Sequence, residues 1–380
     1  MKRIYLDHSA TTPVDQRVAD AILPYLTEEF GNPSSLHAYG RSAKVAIEEA
    51  REKIAEVLHS RSNEIVFTAG GSEADNLAIL GAAFSPQTNG KHFVTNRAEH
   101  HAVFRSFEIL EEKGFEVTYV PCDSYGMIHP EEVKKAIRTD TVMVSVMHVN
   151  NEVGTINPIK EIGAAVKESG AWFHVDGVQA FGKIPIDVTE MNIDMLSMSA
   201  HKLYGPKGVG GLFIRNGIKL HGQIVGGSQE RGQRAGTENV AGIVGFGKAA
   251  EICKSEMPTE MHRLRLLQNR LWSLIKENTP EALLNGHPEK RLPGHLNVSF
   301  DGLMGDEILM MLDLRGIAVS TGSACTSGAV TVSHVLKAMQ LEEKRARSAI
   351  RMTFGRSSSD EDIPYIAQML KETVEKMKSA

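Results

Sequence analysis

Seven short runs of this chain are predicted to be strands, several of them apolar on both faces, and helical patterns of apolar residues lie between most of them. This is the strongest constraint on the fold. A strand with two apolar faces must be covered on both sides, as in a mostly parallel sheet flanked by helices. Alternation of such strands with helices predicts an α/β layer architecture with a seven-stranded sheet. The predicted strands cover residues 64–68, 92–95, 115–120, 142–149, 172–176, 193–198 and 209–214.

The pattern changes near Pro258, where a long amphipathic helix is predicted to follow. Two further strands (residues 295–300 and 316–320) and a final helix capped by Ser359 come after it. We therefore predict two domains. The large domain covers residues 15–257, and a smaller α+β domain combines residues 1–14 with residues 258–380.

Charge and cysteine content exclude several classes of protein. The 42 basic and 47 acidic residues among 380 give a formal charge of −5, which argues against a nucleic-acid binder. No apolar run is long enough to cross a bilayer, and the N-terminus has no signal-peptide pattern. Three widely spaced cysteines (Cys122, Cys253 and Cys325) cannot all pair, so we expect a reducing, cytoplasmic location.

Two familiar kinds of site are not supported. Residues 242–249 have P-loop spacing, but Ala249 stands where a Ser or Thr should bind magnesium, so we expect a small-residue helix packed in the core. The fifteen histidines show no reliable metal-ligand spacing, and no metal is predicted.

Lys202 is a candidate Schiff-base lysine. It follows a buried strand and lies among small residues and a histidine, in the segment SMSAHKLYGPKG. Asp176 ends another buried strand, where a carboxylate needs a cationic partner such as the ring nitrogen of pyridoxal phosphate. The alternatives are a solvated loop lysine and an aspartate that caps a helix. Gln179, three residues after Asp176, would reach the ring hydroxyl.

Other residues suit the rest of such a cofactor. Gly71 and Ser72 lie between a strand and a helix, where backbone N–H groups bind phosphate, although this could also be a simple tight turn. Ser199 and His201 flank Lys202 and offer more donors. His100 opens a helix and is a candidate to stack on the ring and to move protons.

Cys325 is a candidate nucleophile because small residues surround it in STGSACTSG (residues 320–328), a pattern typical of an exposed loop. Cys253 lies in a predicted helix and is predicted to be a core residue. Cys122, at a strand end, is expected to be inert.

The ordered set of motifs resembles the cysteine desulfurases of the NifS/IscS type, which are class V aminotransferases of pyridoxal-phosphate fold type I. The resemblance covers nearly the whole chain. Its motifs are YLDHSATTP (5–13), FGNPSSLH (30–37), VNNEVGTI (149–156), HVDGVQAFGK (174–183), SAHKLYGPKGVG (199–210), RAGTENV (234–240), STGSACTSG (320–328) and IRMTFGR (350–356).

The resemblance implies a role for each matching residue. Lys202 would bind pyridoxal phosphate covalently, Asp176 would pair with the ring nitrogen, Gln179 with the ring oxygen, and His100 would stack on the ring. Gly71, Ser72, Ser199 and His201 would bind the phosphate. Thr237 would reach the cofactor of a partner subunit, which implies a homodimer. Asn151 and Arg351 would hold the substrate carboxylate.

The implied reaction removes sulfur from L-cysteine, leaving L-alanine and a persulfide on Cys325. An acceptor protein, either an iron–sulfur scaffold or a thiolation enzyme, would take the sulfur. The housekeeping iron–sulfur type has a longer C-terminal tail than this sequence, so a dedicated role such as tRNA thiolation or nitrogenase-type cluster supply is expected. Neither nucleic acid nor membrane is an expected direct partner.

Three alternatives stay open at this point. The chain could be a selenocysteine lyase or another fold-type I aminotransferase, which alanine formation without an amino acceptor would distinguish. It could be a non-catalytic scaffold that has kept the fold, although Lys202, Asp176 and Cys325 argue against this. A metal-dependent hydrolase is the weakest alternative because no ligand spacing supports it.

Overall fold

The computed structural model of the chain describes residues 3–321 and 332–379, and Cys325 lies outside this part. The strands are β1 (Ile4–Tyr5), β2 (Ile65–Thr68), β3 (His92–Asn96), β4 (Glu116–Val120), β5 (Thr141–Met147), β6 (Trp172–Asp176), β7 (Met195–Ser199), β8 (Gly210–Ile214), β9 (Leu283–Leu284), β10 (His295–Ser299), β11 (Ile317–Ala318) and β12 (Ala349–Thr353). The helices are α1 (Gln16–Ile22), α2 (Pro24–Thr27), α3 (Ala38–Leu58), α4 (Gly71–Ala83), α5 (His101–Glu112), α6 (Pro130–Ala136), α7 (Ile159–Ser169), α8 (Val240–Asn278), α9 (Gly305–Asp313), α10 (His334–Ala338), α11 (Glu343–Arg347) and α12 (Ile363–Lys378).

The seven strands predicted in the first two thirds of the chain form one sheet, in the order β2-β8-β7-β6-β5-β3-β4. The four pairings from β7 to β4 are parallel, and β8 is antiparallel to both of its neighbours. The predicted α/β fold with a mostly parallel seven-stranded sheet is therefore confirmed. Since β8 alone is reversed, the other six strands end at the same edge of the sheet.

Helices cover both faces of this sheet, which explains why its central strands are apolar at successive positions. Neighbouring residues on β7 show the arrangement: Leu196 packs in a cluster with α3, α7 and α8, whereas Met195 packs in a second cluster with α4 and α5. Every residue of β7 is buried, whereas the edge strand β4 is partly exposed. Burial on both faces thus follows from position within the sheet.

One helix, α8, differs from the sequence prediction. The small-residue segment at 242–249 and the amphipathic segment after Pro258 form a single 39-residue helix, with Pro258 inside it. The first half packs through Phe246 into the cluster beneath the large sheet. The second half packs through Leu267 and Leu271 into a separate cluster. Packing on both sides of Pro258 outweighs its helix-breaking tendency.

The separate cluster is built from the two ends of the chain. Ile4 and Leu6 pack there with residues of α9, β12 and α12, and β1 pairs in parallel with β11. Strands β12, β10 and β9 form a small antiparallel sheet over it. Ser359 caps the one-turn helix that leads into α12, accepting a hydrogen bond from the Glu361 N–H. The division into domains at residues 257 and 258 stays a prediction.

Two further observations concern membrane spans and the free cysteines. Within residues 3–321 and 332–379, no helix is long and apolar enough to span a bilayer. Cys122 and Cys253 are free thiols, and burial raises the pKa of each to about 11. Neither is therefore activated for nucleophilic attack.

We predict that Leu196→Ala lowers the free energy of unfolding by about 2–5 kcal/mol, because it opens a cavity beneath the centre of the sheet. The control is Leu266→Ala on α8, where the side chain is 56% exposed and the expected change is within about 0.5 kcal/mol. Urea unfolding of both variants measures the difference. Equal effects would show that the sheet interior is not tightly packed.

Candidate active site

A cavity of about 310 Å³ lies at the edge where the parallel strands end, which is where ligands bind in open α/β sheets. Ten of the twelve residues predicted from the sequence line it: Gly71, Ser72, His100, Asn151, Asp176, Gln179, Ser199, His201, Lys202 and Arg351. Thr237 lies elsewhere, and Cys325 is outside the described residues. Together with Ser9 and Ala10, the lining residues come from seven separate segments of the sequence, which thus meet in one place.

Asp176 is the buried charge at the base of the cavity. It is the last residue of β6, and its carboxylate accepts a hydrogen bond from the Val178 N–H at 2.9 Å. Burial raises the pKa of Asp176 to about 6, against the opposing effects of that hydrogen bond and of Lys202. A cation placed against this carboxylate would return its pKa toward the ordinary range.

Lys202 lines the same cavity. It ends a one-turn helix that follows β7, and its Nζ donates to the carbonyl oxygens of Ser9 (2.5 Å) and Ala10 (2.8 Å). Backbone carbonyls hold an ammonium in place without neutralising it. The amine is therefore already fixed at the cavity wall.

Gly71 and Ser72 form the first turn of α4, where backbone N–H groups lack partners within the helix. A Cβ at Gly71 would lie 2.7 Å from the Val178 side chain, so only glycine leaves this turn open. Ser199 also lies beside this turn, because a Cβ at Gly71 would be 3.5 Å from the Ser199 Cβ, and His201 lines the same cavity. The open helix end and the hydroxyl and imidazole donors around it suit a phosphate group.

His100 is neutral and has a defined tautomer. It caps α5, and its Nδ1 accepts a hydrogen bond from the Ala102 N–H at 3.1 Å. Burial, reinforced by the charge of Lys202, lowers the pKa of His100 to about 4. Because Nδ1 is the acceptor, the single ring proton is on Nε2.

Arg351 is a buried guanidinium at another wall of the cavity. Its Nη2 donates to the Asp7 carboxylate at 2.7 Å, and its Nη1 donates to the Asn151 carbonyl at 3.0 Å. Its Nε is buried with no hydrogen-bond partner in the described part of the chain. An arginine with a donor to spare suits a small carboxylate ligand.

Sequence reasoning did not assign a role to Asp7, although it lies in the quoted motif YLDHSATTP. The pairing joins the two ends of the chain, because Asp7 and Arg351 are 344 positions apart. Sequence spacing therefore could not reveal it. The predicted role of Arg351 in a binding site was the available signal, because a guanidinium that is buried there needs a carboxylate partner.

Two more buried acids near Asp176 were missed. Asp75 lies on α4 and lines the cavity, and burial, followed by the charge of Asp176, raises its pKa well above the ordinary value. Glu99 precedes His100, and the same two causes raise its pKa to about 8. The positions of Asp75 and Ser72, three apart on one helix, were the signal that both face the site.

The chain on both sides of Cys325 is attached to this site. The backbone of Ser320 exchanges two hydrogen bonds with Arg351, at 2.6 and 3.1 Å. Ser333 donates to the Glu152 carboxylate at 2.5 Å, and Glu152 neighbours Asn151. Cys325 comes five positions after Ser320, a span of at most about 18 Å.

Thr237 lies in a different depression, with Arg234 and Glu238 among its neighbours. It is exposed and does not line the main cavity of its own chain. Within the described residues, no group of three or more histidine, cysteine or acidic side chains has the arrangement of a metal site.

Comparison with known proteins agrees with this geometry. The family model for aminotransferase class V matches residues 4–366. The chain belongs to the class V aminotransferases. Within this family it is 49% identical to cysteine desulfurase IscS of Dictyoglomus turgidum, over all of this chain and 96% of that protein.

Solved structures of the class V family are similar in the same way. A NifS-like protein superposes with a TM-score of 0.92 at 37% identity, covering 100% of both chains. SspA, solved in complex with cysteine, superposes with a TM-score of 0.81 at 38% identity, covering 93% of this chain and 99% of that one. The family suggested by the sequence motifs is thus confirmed.

We predict that Glu99→Gln reduces the pH dependence of stability. Folded Glu99 keeps a proton between about pH 4.5 and about pH 8, where the unfolded chain releases it, so wild-type stability falls as the pH rises through this range. Glutamine keeps the oxygen that accepts from the Met147 N–H at 2.7 Å, and it has no charge to bury.

Thermal unfolding should therefore give similar midpoints for Glu99→Gln and wild type near pH 5, and a higher midpoint for the variant near pH 9. Glu112→Gln, at the exposed end of α5, is the matched control and should follow the wild type at both pH values. A variant difference that does not change with pH would contradict the assignment of a protonated Glu99.

Proposed function

We propose that this chain binds pyridoxal phosphate and transfers the sulfur of L-cysteine to Cys325, releasing L-alanine. One observation carries the proposal. A fixed lysine, a buried carboxylate, an open helix N-terminus and a carboxylate-binding arginine line the same cavity. A cofactor with an aldehyde, a ring nitrogen and a phosphate needs such a combination, and the arginine is left for an amino-acid substrate.

The residues present fit this cofactor. Lys202 would bind it covalently, Asp176 would face the ring nitrogen, Gln179 the ring oxygen, and His100 the ring face. Gly71, Ser72, Ser199 and His201 would bind the phosphate. When bound, the protonated ring withdraws electrons from the substrate carbon atoms.

Arg351 and Asn151 would bind the substrate carboxylate, which places the amino acid between Lys202 and the attachment points of the Cys325 segment. Arg351 would then bind two carboxylates, that of Asp7 and that of the substrate. His100 would hold a proton on Nε2 close to the substrate, since its Nδ1 is used by the helix cap.

The sulfur transfer balances without an external oxidant. The Cys325 thiolate attacks the sulfur of L-cysteine, an S–S bond forms, and the C–S bond breaks. The electron pair of that bond stays with carbon, which takes up a proton to give the alanine methyl group. The carbon is reduced and the sulfur is oxidised to the persulfide level. An acceptor protein, an iron–sulfur scaffold or a thiolation enzyme, would then take the sulfur.

We predict different losses for variants of the two reactive residues. Lys202→Ala should lower the rate of alanine formation at least about a hundredfold. Cys325→Ser should keep the absorption band of the bound cofactor at about 400 nm, but it should lose persulfide formation. Absorbance, alanine and total sulfide are measured after L-cysteine is added.

Cys122→Ser is the control for Cys325→Ser, because its thiol is partly buried and unactivated. Persulfide formation by Cys325→Ser at the wild-type rate would refute the nucleophile. Alanine that appears only with an added amino acceptor would favour an aminotransferase. Turnover of selenocysteine but not of L-cysteine would favour a selenocysteine lyase.

We also propose that two copies of the chain form the working enzyme. Apolar side chains are exposed along residues 23–45, and Leu36 is 91% exposed. Pro33 and Lys44 of this segment line a depression with Glu238, which neighbours Thr237. Exposed apolar side chains grouped in one segment are typical of an interface, and a two-fold arrangement would bring Thr237 to the partner's site.

We predict that Leu36→Asp shifts the chain from dimer to monomer, because a charge would be buried in the interface. The control is Leu314→Asp, at a side chain that is 73% exposed outside this segment, and it should leave the dimer intact. Light scattering after size-exclusion chromatography measures the mass. A Leu36→Asp dimer of wild-type affinity would contradict the proposed interface.

Mixed dimers test the role of Thr237. In a mixed dimer of Lys202→Ala and Thr237→Ala chains, a Thr237 that acts across the interface leaves one site with no substitution. Activity close to half that of wild type is then expected. Activity no higher than half that of the Thr237→Ala homodimer would place Thr237 in its own subunit, because both sites would then carry a substitution.

The free thiols of Cys122 and Cys253 support a reducing compartment, and we propose a cytoplasmic location. Fractionation of cells that produce the chain tests this location.

A further inference from the structure

Lys183 lies beside the candidate active site without lining it. It belongs to the turn after β6, and it lines a second, smaller cavity of about 60 Å³ together with Cys253. Lys202 and Ser9 line both cavities, so the two share a wall. Burial, followed by the charge of Lys202, lowers the pKa of Lys183 to about 7.

The Nζ of Lys183 donates to Oε1 of Gln179 at 3.0 Å. The other end of the same amide, Nε2, donates to the Ser9 carbonyl at 2.9 Å. Gln179 is buried and lines the main cavity. One amide therefore connects the lysine of the small cavity to the wall of the large one.

These two partners allow one orientation of the amide. A carbonyl oxygen can only accept a hydrogen bond, so the Ser9 carbonyl requires the Gln179 nitrogen. While Lys183 is protonated it can only donate, so it then requires the Gln179 oxygen. The reversed amide would place oxygen against oxygen and nitrogen against ammonium. Lys183 therefore reinforces the orientation that the Ser9 carbonyl selects and fixes the oxygen end of the amide.

The Ser9 carbonyl also accepts from Lys202, at 2.5 Å. The Gln179 nitrogen and the Lys202 nitrogen are therefore drawn to the same atom on the cavity wall. An amide nitrogen has two hydrogens, and the Ser9 bond uses one of them. The second is available to a ligand, and a ligand atom that binds it must be an acceptor.

We propose that Lys183 is a positioning residue, which holds the amide of Gln179 so that its N–H faces the ligand, and that the site therefore favours a ring whose oxygen is an anionic acceptor. This inference rests on the proposed function, in which that ring is pyridoxal phosphate. Lys183 acts through Gln179 and touches no reacting atom. The charged or titratable groups around it are Lys202, Arg351, Cys253, Glu256, Glu260, His8, His201, Tyr204, His295 and Arg356.

Spectroscopy of the cofactor-loaded enzyme distinguishes positioning from a structural role. Lys183→Met keeps the length of the side chain and removes the donor. We expect about tenfold weaker binding of pyridoxal phosphate, and a rise of about one unit in the apparent pKa of the bound chromophore, because the anionic oxygen loses its donor. Lys183→Arg should restore most of both values. Lys160→Met, at an exposed lysine, is the control.

A double-mutant cycle with Gln179→Leu tests whether Lys183 acts through Gln179. If it does, the double variant binds pyridoxal phosphate no more weakly than Gln179→Leu alone. Additive losses would overturn the proposal. So would a Lys183→Met enzyme with lowered thermal stability and an unchanged chromophore pKa.

If Lys183→Met does not fold, Gln179→Glu tests whether the side-chain N–H of Gln179 binds the ligand. The carboxylate accepts from Lys183 but has no N–H for the ligand, so its binding of pyridoxal phosphate should match that of Gln179→Leu. Wild-type affinity in Gln179→Glu would overturn the proposal. A wild-type enzyme that binds no pyridoxal phosphate would overturn the proposed function and this inference together, whereas normal wild-type binding with a normal Lys183→Met chromophore would overturn this inference alone.

Discussion

The buried carboxylate of Asp176 is the charge on which the arrangement of the site depends. It ends the central strand β6, where sheet and helices exclude water and raise its pKa to about 6. Asp75 and Glu99 add two more acids to the same region, and their raised pKa values favour protonated forms. The cluster therefore disfavours a further negative charge and accommodates a bound cation, which a protonated heterocycle can provide.

The N-terminal segment fixes the groups that surround this carboxylate. Its backbone carbonyls at Ser9 and Ala10 hold Lys202, and the carboxylate of Asp7 holds Arg351. Thr12 accepts from the Tyr204 N–H and contacts the His201 carbonyl. A short stretch of chain thus positions the two cationic side chains that a covalently bound cofactor and its substrate require.

Sequence patterns were sufficient to predict the sheet, because strand patterns are local, whereas the roles of Asn151 and Arg351 came only from the resemblance to a known family. Strands that are apolar on two faces can be recognised from the sequence. Residues at the carboxyl ends of parallel strands then lie at the same edge of the sheet. The pairing of Asp7 with Arg351 was not predictable, because it joins opposite ends of the chain. The orientation of Gln179 also needed the structure, since it depends on two partners from different segments. The continuity of α8 through Pro258 was missed because packing on both sides overrides a local helix breaker.

That continuity has a mechanical consequence. Helix α8 is about 58 Å long and anchors one half in each of two hydrophobic clusters. Proline has no N–H, so the carbonyl of Lys254, four residues earlier, lacks its helical hydrogen bond. The helix is therefore weakest between the clusters and stiff within each. A bend at this point would change the angle between the two clusters.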